Sequence, residues 1–306
     1  MFGTLLAMII ERLFDPDLAH AAWLIGCQKT KQAIVIDPAR DIDRYIAAAS
    51  LRKLKIVAVT ETHIHADFLS GSESLACVTD STCYLSNEGD ADWQYNWVAE
   101  SAANCKLIGD GDEFWIGDIK LQVIHTPGHT PEHICFLVFD AGEEDPIGII
   151  SGDFVFVGDL GRPDLLETAA GIEGSMEVSA KRLHESSLAF NSLDDFVQVW
   201  PAHGAGSACG KALGAVPQST VGYEKRTNPP LQLLNDMQAF VSYMLSEQPE
   251  PPRYFAKMKQ MNRDGVPRMD VLPSLNEIKS PEELVKAAES ATVIDTRPWN
   301  EVREGH

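Results

Sequence analysis

No two of the six cysteines form a CxxC pair, no apolar run reaches the length of a membrane span, and positive charge is scarce. Cys27, Cys77, Cys83, Cys105, Cys135 and Cys209 are scattered through 306 residues. That spacing argues against a disulfide framework and for a reducing compartment, so a cytoplasmic location is expected. Cys27, Cys105 and Cys135 lie in apolar runs and are expected to act as small core hydrophobes. The apolar start, residues 1–10, is closed by Glu11 and Arg12. It is too short to cross a bilayer and lacks the basic opening of a secretory signal. Residues 1–7 are expected to extend ahead of a first strand at 8–11. Lys and Arg number 25 against 45 Asp and Glu, a formal charge of −20. A chain this acidic is a poor partner for nucleic acid or anionic membrane, and neither is expected. Internal repeats and low-complexity tracts are missing as well.

What is present is an ordinary globular composition, 44% hydrophobic and 23% charged, long enough for one or two domains. Apolar runs predict strands over 21–26, 33–36, 55–59, 84–85, 114–116, 119–124, 134–139, 147–150 and 196–200. Gly117-Asp118 between two of these is a hairpin turn. Helical spacing predicts helices over 43–51, 72–77, 175–184, 220–226 and 231–245. Residues 90–100 carry Trp93, Tyr95 and Trp97 and are expected to be a helix or an aromatic-packed loop. From 247 to 280 the chain is rich in proline and charge and reads as a linker with room for one short helix. Pro281 then opens a helix from its first turn, and a strand is expected over 291–294.

Chemistry concentrates where strands end. Residues 56–59 run into Thr62-His63-Ile64-His65-Ala66-Asp67-Phe68. On an extended backbone His63, His65 and Asp67 share one side. Core packing does not ask for three polar side chains there, and burying them unpaired is costly. Imidazole and carboxylate together suggest a metal, zinc or iron. The same pattern recurs with His129 in Pro127-Gly128-His129-Thr130, Asp153 in Ser151-Gly152-Asp153, and His203 in Pro201-Ala202-His203-Gly204. Strands that each deliver a polar residue to a loop describe a site held by a rigid sheet. His125 and His133 are expected to be structural, and His20 and His184 to lie at the surface.

The four motifs, in order over 62–204, resemble the metallo-β-lactamase superfamily. That resemblance implies an α+β fold, a four-layer αββα sandwich with metal at the strand ends, here a catalytic domain over 8–246. In the two-metal hydrolases of the superfamily, His63, His65 and His129 would bind one ion and Asp153 would bridge. Asp67, the next residue and His203 would bind the second. Here that next residue is Phe68, which has no lone pair to donate, so one metal per chain is expected.

Within the superfamily, Glu61–Gly71, Leu160-Gly161-Arg162-Pro163-Asp164-Leu165 and 201–211 resemble the persulfide (sulfur) dioxygenases of the rhodanese-fused branch. Residues 293–297 and 301–306 resemble the opening of a rhodanese-like domain, so 281–306 is expected to be an N-terminal fragment of that α/β fold. The resemblance implies one Fe(II) held by His63, His129 and Asp153. His65, Asp67 and His203 would orient ligands and waters, or serve as metal ligands in the alternative. It also implies a reaction of a low-molecular-weight thiol persulfide with O2, giving sulfite and free thiol. Cys209, in a glycine-rich loop after His203, is expected to line the entrance and meet persulfide sulfur. Arg162 is a candidate anion holder that could instead pair with Asp164, and Lys211 a candidate for a substrate carboxylate. The alternative function is a zinc hydrolase of the glyoxalase II or β-lactamase type, and a further alternative is a sulfur-binding module with a structural metal. The 231–245 helix offers a face for a homo-oligomer.

Overall fold

The computed structural model describes residues 8–165, 175–211, 213–267 and 277–305. The expected extension at 1–7, the 268–276 part of the linker and the end of the fragment at His306 lie outside them.

Strands Met8–Asp15 (β1), His20–Cys27 (β2) and Gln32–Ile36 (β3) pair antiparallel. Helix Asp43–Leu51 (α1) then crosses to Lys55–Thr60 (β4), and helix Ser72–Thr79 (α2) to Thr82–Ser86 (β5). Such crossovers make the next pairings parallel, through to Asn104–Ile108 (β6). Residues 90–100 form two short 3-10 turns that bury Trp93 and Trp97. The first sheet runs β1 to β6 in order.

Glu113–Ile116 (β7) and Ile119–His125 (β8) form the expected hairpin, with Gly117 at φ +62°. Ile134–Phe139 (β9), Gly148–Gly152 (β10), Gln198–Pro201 (β11) and Ser219–Thr220 (β12) complete a second sheet, ordered β12-β11-β10-β9-β8-β7. Helix Ser175–Asn191 (α3) precedes the parallel strand β11.

Alternating side chains explain the layers. Trp23, Ile25, Ile34 and Ile36 of one sheet meet Phe136, Val138, Ile150 and Trp200 of the other in a central core. Their neighbours Ala22, Leu24, Ala33 and Val35 point outward onto Tyr45, Ala49 and Leu75 of α1 and α2. On the far side Leu137 and Ile149 pack against Leu183 and Phe190 of α3. The result is an αββα sandwich, as the motifs implied. Cys27 and Cys135 are buried, but Cys105 is only half-buried because β6 is a sheet edge.

Three expectations change. The single helix over 231–245 is broken. After Val221–Thr227 (α4) come a 3-10 turn, Pro230–Leu233, and a helix, Met237–Leu245 (α5), because Asp236 caps α5 by accepting from the amides of Gln238 and Ala239. Phe240 and Met244 of α5 are spent on the core. The short helix expected within the linker is Phe255–Asp264 (α6), but with Phe255 and Asn262 buried it packs as part of the domain before it. The first compact unit accordingly runs to Val266 rather than ending at 246. In the second unit, Pro267–His306, Pro281–Ala288 (α7) has the expected proline start, with Ser280 accepting from the Glu283 amide, and Trp299–Glu304 (α8) follows. The strand expected at 291–294 does not form. Val293 and Ile294 are exposed, with no strand beside them among the described residues, and backbone groups take up a ladder only where a partner edge exists.

Candidate metal centre

His63 and Asp67 follow β4, His129 lies between β8 and β9, Asp153 follows β10, and His203 follows β11. All five are buried. The sandwich delivers them to one end. His63 Nε2 and His129 Nε2 lie 4.0 and 3.4 Å from Asp153 Oδ2. His203 Nε2 lies 3.3 Å from Asp153 Oδ1 and 3.3 Å from Asp67 Oδ2. Donor atoms of His63, His129 and Asp153 form one close cluster, and those of Asp67, His203 and Cys209 form another.

The imidazoles are oriented by their other nitrogens. A carbonyl can only accept, so His129 Nδ1–H donates to Arg162 O at 3.1 Å and His203 Nδ1–H to Ala19 O at 3.0 Å. Thr62 Oγ1–H donates to Asp37 Oδ2 at 2.9 Å, leaving that oxygen to accept from His63 Nδ1–H at 3.0 Å. In His63 and His129, Nε2 keeps its lone pair for the centre, as metal ligation requires. Burial opposes a proton on His203, but Asp153, Cys209 and Asp67 raise its proton affinity well above the usual, so a metal ion there would have to displace that proton. His65 differs. Its Nε2 is bound to Asp37 Oδ1 at 3.0 Å, and its ring stands outside both clusters.

Both oxygens of Asp67 and of Asp153, and His203 Nε2, are buried with no hydrogen-bond partner. Two carboxylates in that condition are costly, and a cation bound at this end of the sandwich would offset that cost. The donor set therefore fits a metal ion. Burial lowers the affinity of His63 and His129 for a proton, leaving neutral imidazoles. Burial opposes charge on Asp153, but His203, through its charge, holds its carboxyl well below the usual range.

The frame around the motif was only partly foreseen. Asp37 also accepts from the Thr62 amide at 2.7 Å, so the carboxylate after β3 organises the whole turn. Its signal was the Asp37-Pro38 strand end. His133 accepts from the Asp153 amide through Nε2 at 3.1 Å and bonds Thr126 Oγ1 through Nδ1 at 2.8 Å. His125 bonds Pro131 O. Both are structural, as expected. Gly152, at φ +51°, has no room for a Cβ, which would fall 2.6 Å from Thr62 Oγ1 and 2.7 Å from His133 Nε2. The two expected surface histidines are buried instead. His20 packs on Phe68, ring centroids 4.1 Å apart, and His184 bonds Leu234 O across α3 and the turn before α5. A strand start and a helix end look exposed in sequence, but a further layer covers each.

Cys209 is not at an entrance. It is buried with Phe156, Leu165 and Phe255, and burial, with Asp153 and Asp67 nearby, pushes its thiol up to about 12. Arg162 is buried and engaged, Nε and Nη2 to Asp164 at 3.0 and 2.7 Å and Nη1 to Ala208 O at 3.1 Å. Lys211 is likewise spent on Tyr243 O and Ser246 O at the end of α5. Arg162 forms one wall of a cavity of about 630 Å³ lined also by Met176, Leu245, Pro251, Pro252 and Arg253. No helix among the described residues is long and apolar enough to cross a membrane.

The sequence pattern of the Metallo-beta-lactamase superfamily matches residues 15–203. A crystal structure of a metallo-beta-lactamase from Staphylococcus aureus is 42% identical, with a TM-score of 0.88 over 98% of this chain and 83% of that one. A beta-lactamase hydrolase-like protein of Xylella fastidiosa is 28% identical over 72% of this chain but only 52% of its own length, so this chain spans about half of that relative. The mitochondrial persulfide dioxygenase ETHE1 of Bos taurus is 25% identical over 74% of this chain and 77% of its length.

Proposed function

Because the chain belongs to the metallo-β-lactamase superfamily, we propose that its buried centre holds one Fe(II) and oxidises a low-molecular-weight thiol persulfide with O2. The observation that carries this is the ligand set. His63, His129 and Asp153 converge, while the third imidazole, His65, is turned onto Asp37. Two histidines and one carboxylate with open positions suit non-haem iron, whereas a mononuclear zinc hydrolase would draw on the three imidazoles. Similarity to the bovine persulfide dioxygenase supports the same reading.

Bound there, iron supplies the redox capacity toward O2 that no side chain has. The chain does the rest. Thr62 Oγ1 and Arg162 O fix the imidazole tautomers. His133 holds the backbone of Asp153, and the His203–Asp67 pair aligns its second oxygen. Phe68 fills the position of a further ligand and packs between His20 and His65. The cavity lined by Met176, Leu245, Pro251, Pro252 and Arg253 offers room for the organic part of the persulfide. In balance, the persulfide, O2 and one water give thiol, sulfite and two protons, the outer sulfur being oxidised and O2 reduced.

Oxygen uptake by iron-loaded protein, supplied with small-molecule persulfides, tests this. Uptake matched by sulfite release is expected, and none with any persulfide would refute it. One observation favours a zinc hydrolase instead: Asp67, His203 and Cys209 form a second donor cluster, beside which a pair of zinc ions would activate water for attack on a thioester or lactam.

A further inference from the structure

Helix α6 lies beyond residues 15–203, yet its inner face meets the metal loop. Phe255, Lys259 and Asn262 follow i, i+4, i+7 spacing and form one stripe. Phe255 packs with Phe156, Leu165 and Cys209. Lys259 Nζ lies over the Trp93 ring, 3.1 Å from its centroid. Asn262 is only 2% exposed. Its Nδ2 donates to His65 O at 2.8 Å and to Phe68 O at 2.7 Å, and its Oδ1 accepts from the Ser70 amide at 2.9 Å.

These are the backbone groups on either side of Asp67. They lie between the end of β4 at Thr60 and the start of α2 at Ser72. The backbone pairing there is an isolated bridge, Ala39 with Ser70, closed by Gly71 N–H donating to Pro38 O at 2.8 Å. The His65 and Phe68 carbonyls and the Ser70 amide go to Asn262. The Asp67 carboxylate has no hydrogen bond of its own. Its direction is therefore set by the backbone that carries it, and that backbone is clamped on both sides by one amide side chain. Asp67 in turn faces His203, which faces Asp153.

We propose that Asn262 is a positioning residue of the metal centre, aiming Asp67 and through it His203 and Asp153. The proposal rests on the metal-centre reading but not on the identity of the reaction, and it makes α6 part of the active site. An outer partner of this kind changes metal affinity by about 10- to 100-fold when lost.

The test uses the whole chain loaded with Co(II), with affinity from chelator competition, visible absorption bands and melting of the metal-free protein. Asn262→Ala removes the amide. Asn262→Asp keeps the shape and an acceptor for Ser70 but loses the donors. Lys257→Ala, on the exposed face of α6, is the control. Both Asn262 variants are expected to bind Co(II) at least about tenfold more weakly, with shifted bands, while the control matches wild type. Folded Asn262 variants with wild-type affinity and spectrum would overturn the proposal. Should neither variant fold, hydrogen exchange of the wild type decides. A Ser70 amide that exchanges slowly, and more slowly still with Co(II), supports the clamp. One that exchanges at a free-loop rate with or without Co(II) refutes it. Wild-type protein that binds no Co(II) would sink the metal-centre reading itself, and the proposal with it.

Discussion

His65 Nε2 lies 3.0 Å from Asp37 Oδ1 with both groups sealed from solvent. Burial alone would lower the His65 pKa, but Asp37, with help from Glu61 and Asp67, raises it to about 9. An unfolded histidine titrates near 6.5. Below that value the charged pair contributes its full stability. Between there and about 9 the folded chain keeps a proton that the unfolded chain has lost, so stability falls as pH rises, by up to about 1.4 kcal/mol per pH unit for one proton. Denaturant unfolding of chelator-stripped protein from pH 6.5 to 8 is expected to show this decline, and Asp37→Asn to flatten it. Equal slopes in the two proteins would contradict the pairing.

Removing one ligand should separate the inner set from its supports. His63→Ala, His129→Ala and Asp153→Asn are each expected to lose bound metal by more than the about 10- to 100-fold that an outer partner costs, and His65→Ala to stay within that range. Metal titration of the four variants checks this. A His65→Ala loss as deep as that of His63→Ala would favour three imidazoles on zinc.

Phe68 packs against His20 and His65, ring centroids 4.1 and 4.3 Å away. Phe68→His supplies the missing donor beside Asp67 and His203. Metal analysis is expected to show a rise from one ion per chain toward two. An unchanged count would mean that Phe68 is not what limits the site.

Arg162 separates anchoring from substrate binding. Arg162→Met strips Asp164 of a buried ionic partner, a change that costs about 3–5 kcal/mol. Unfolding measurements should show a loss of that order, with KM for persulfide little changed in the folded fraction. Intact stability with a large rise in KM would give Arg162 the anion-binding role instead.

Much of the site was legible because metal ligation demands particular side chains at strand ends. His63, His129, Asp153, Asp67 and His203 could be read from four short motifs, and apolar runs gave most strands of both sheets. What escaped depends on long-range contact. Asp37, 25 residues before Thr62, carries no motif beyond a strand end. Asn262, nearly 200 residues after His65, sits in a proline-rich stretch whose composition reads as linker. The inner face of α6 is held by Asn262 on the metal loop, Phe255 in the Cys209 cluster and Lys259 over Trp93. Burial of His20, His184 and Cys209 is likewise decided by what packs over them. The strand at 291–294 fails for the converse reason, since β-branched residues do not pair without an edge beside them.

The most direct test of the central claim is metal analysis of the whole chain purified without oxygen. One iron per chain, lost in His63→Ala and Asp153→Asn, is the predicted result. A stoichiometric pair of zinc ions, or protein free of iron, would contradict it.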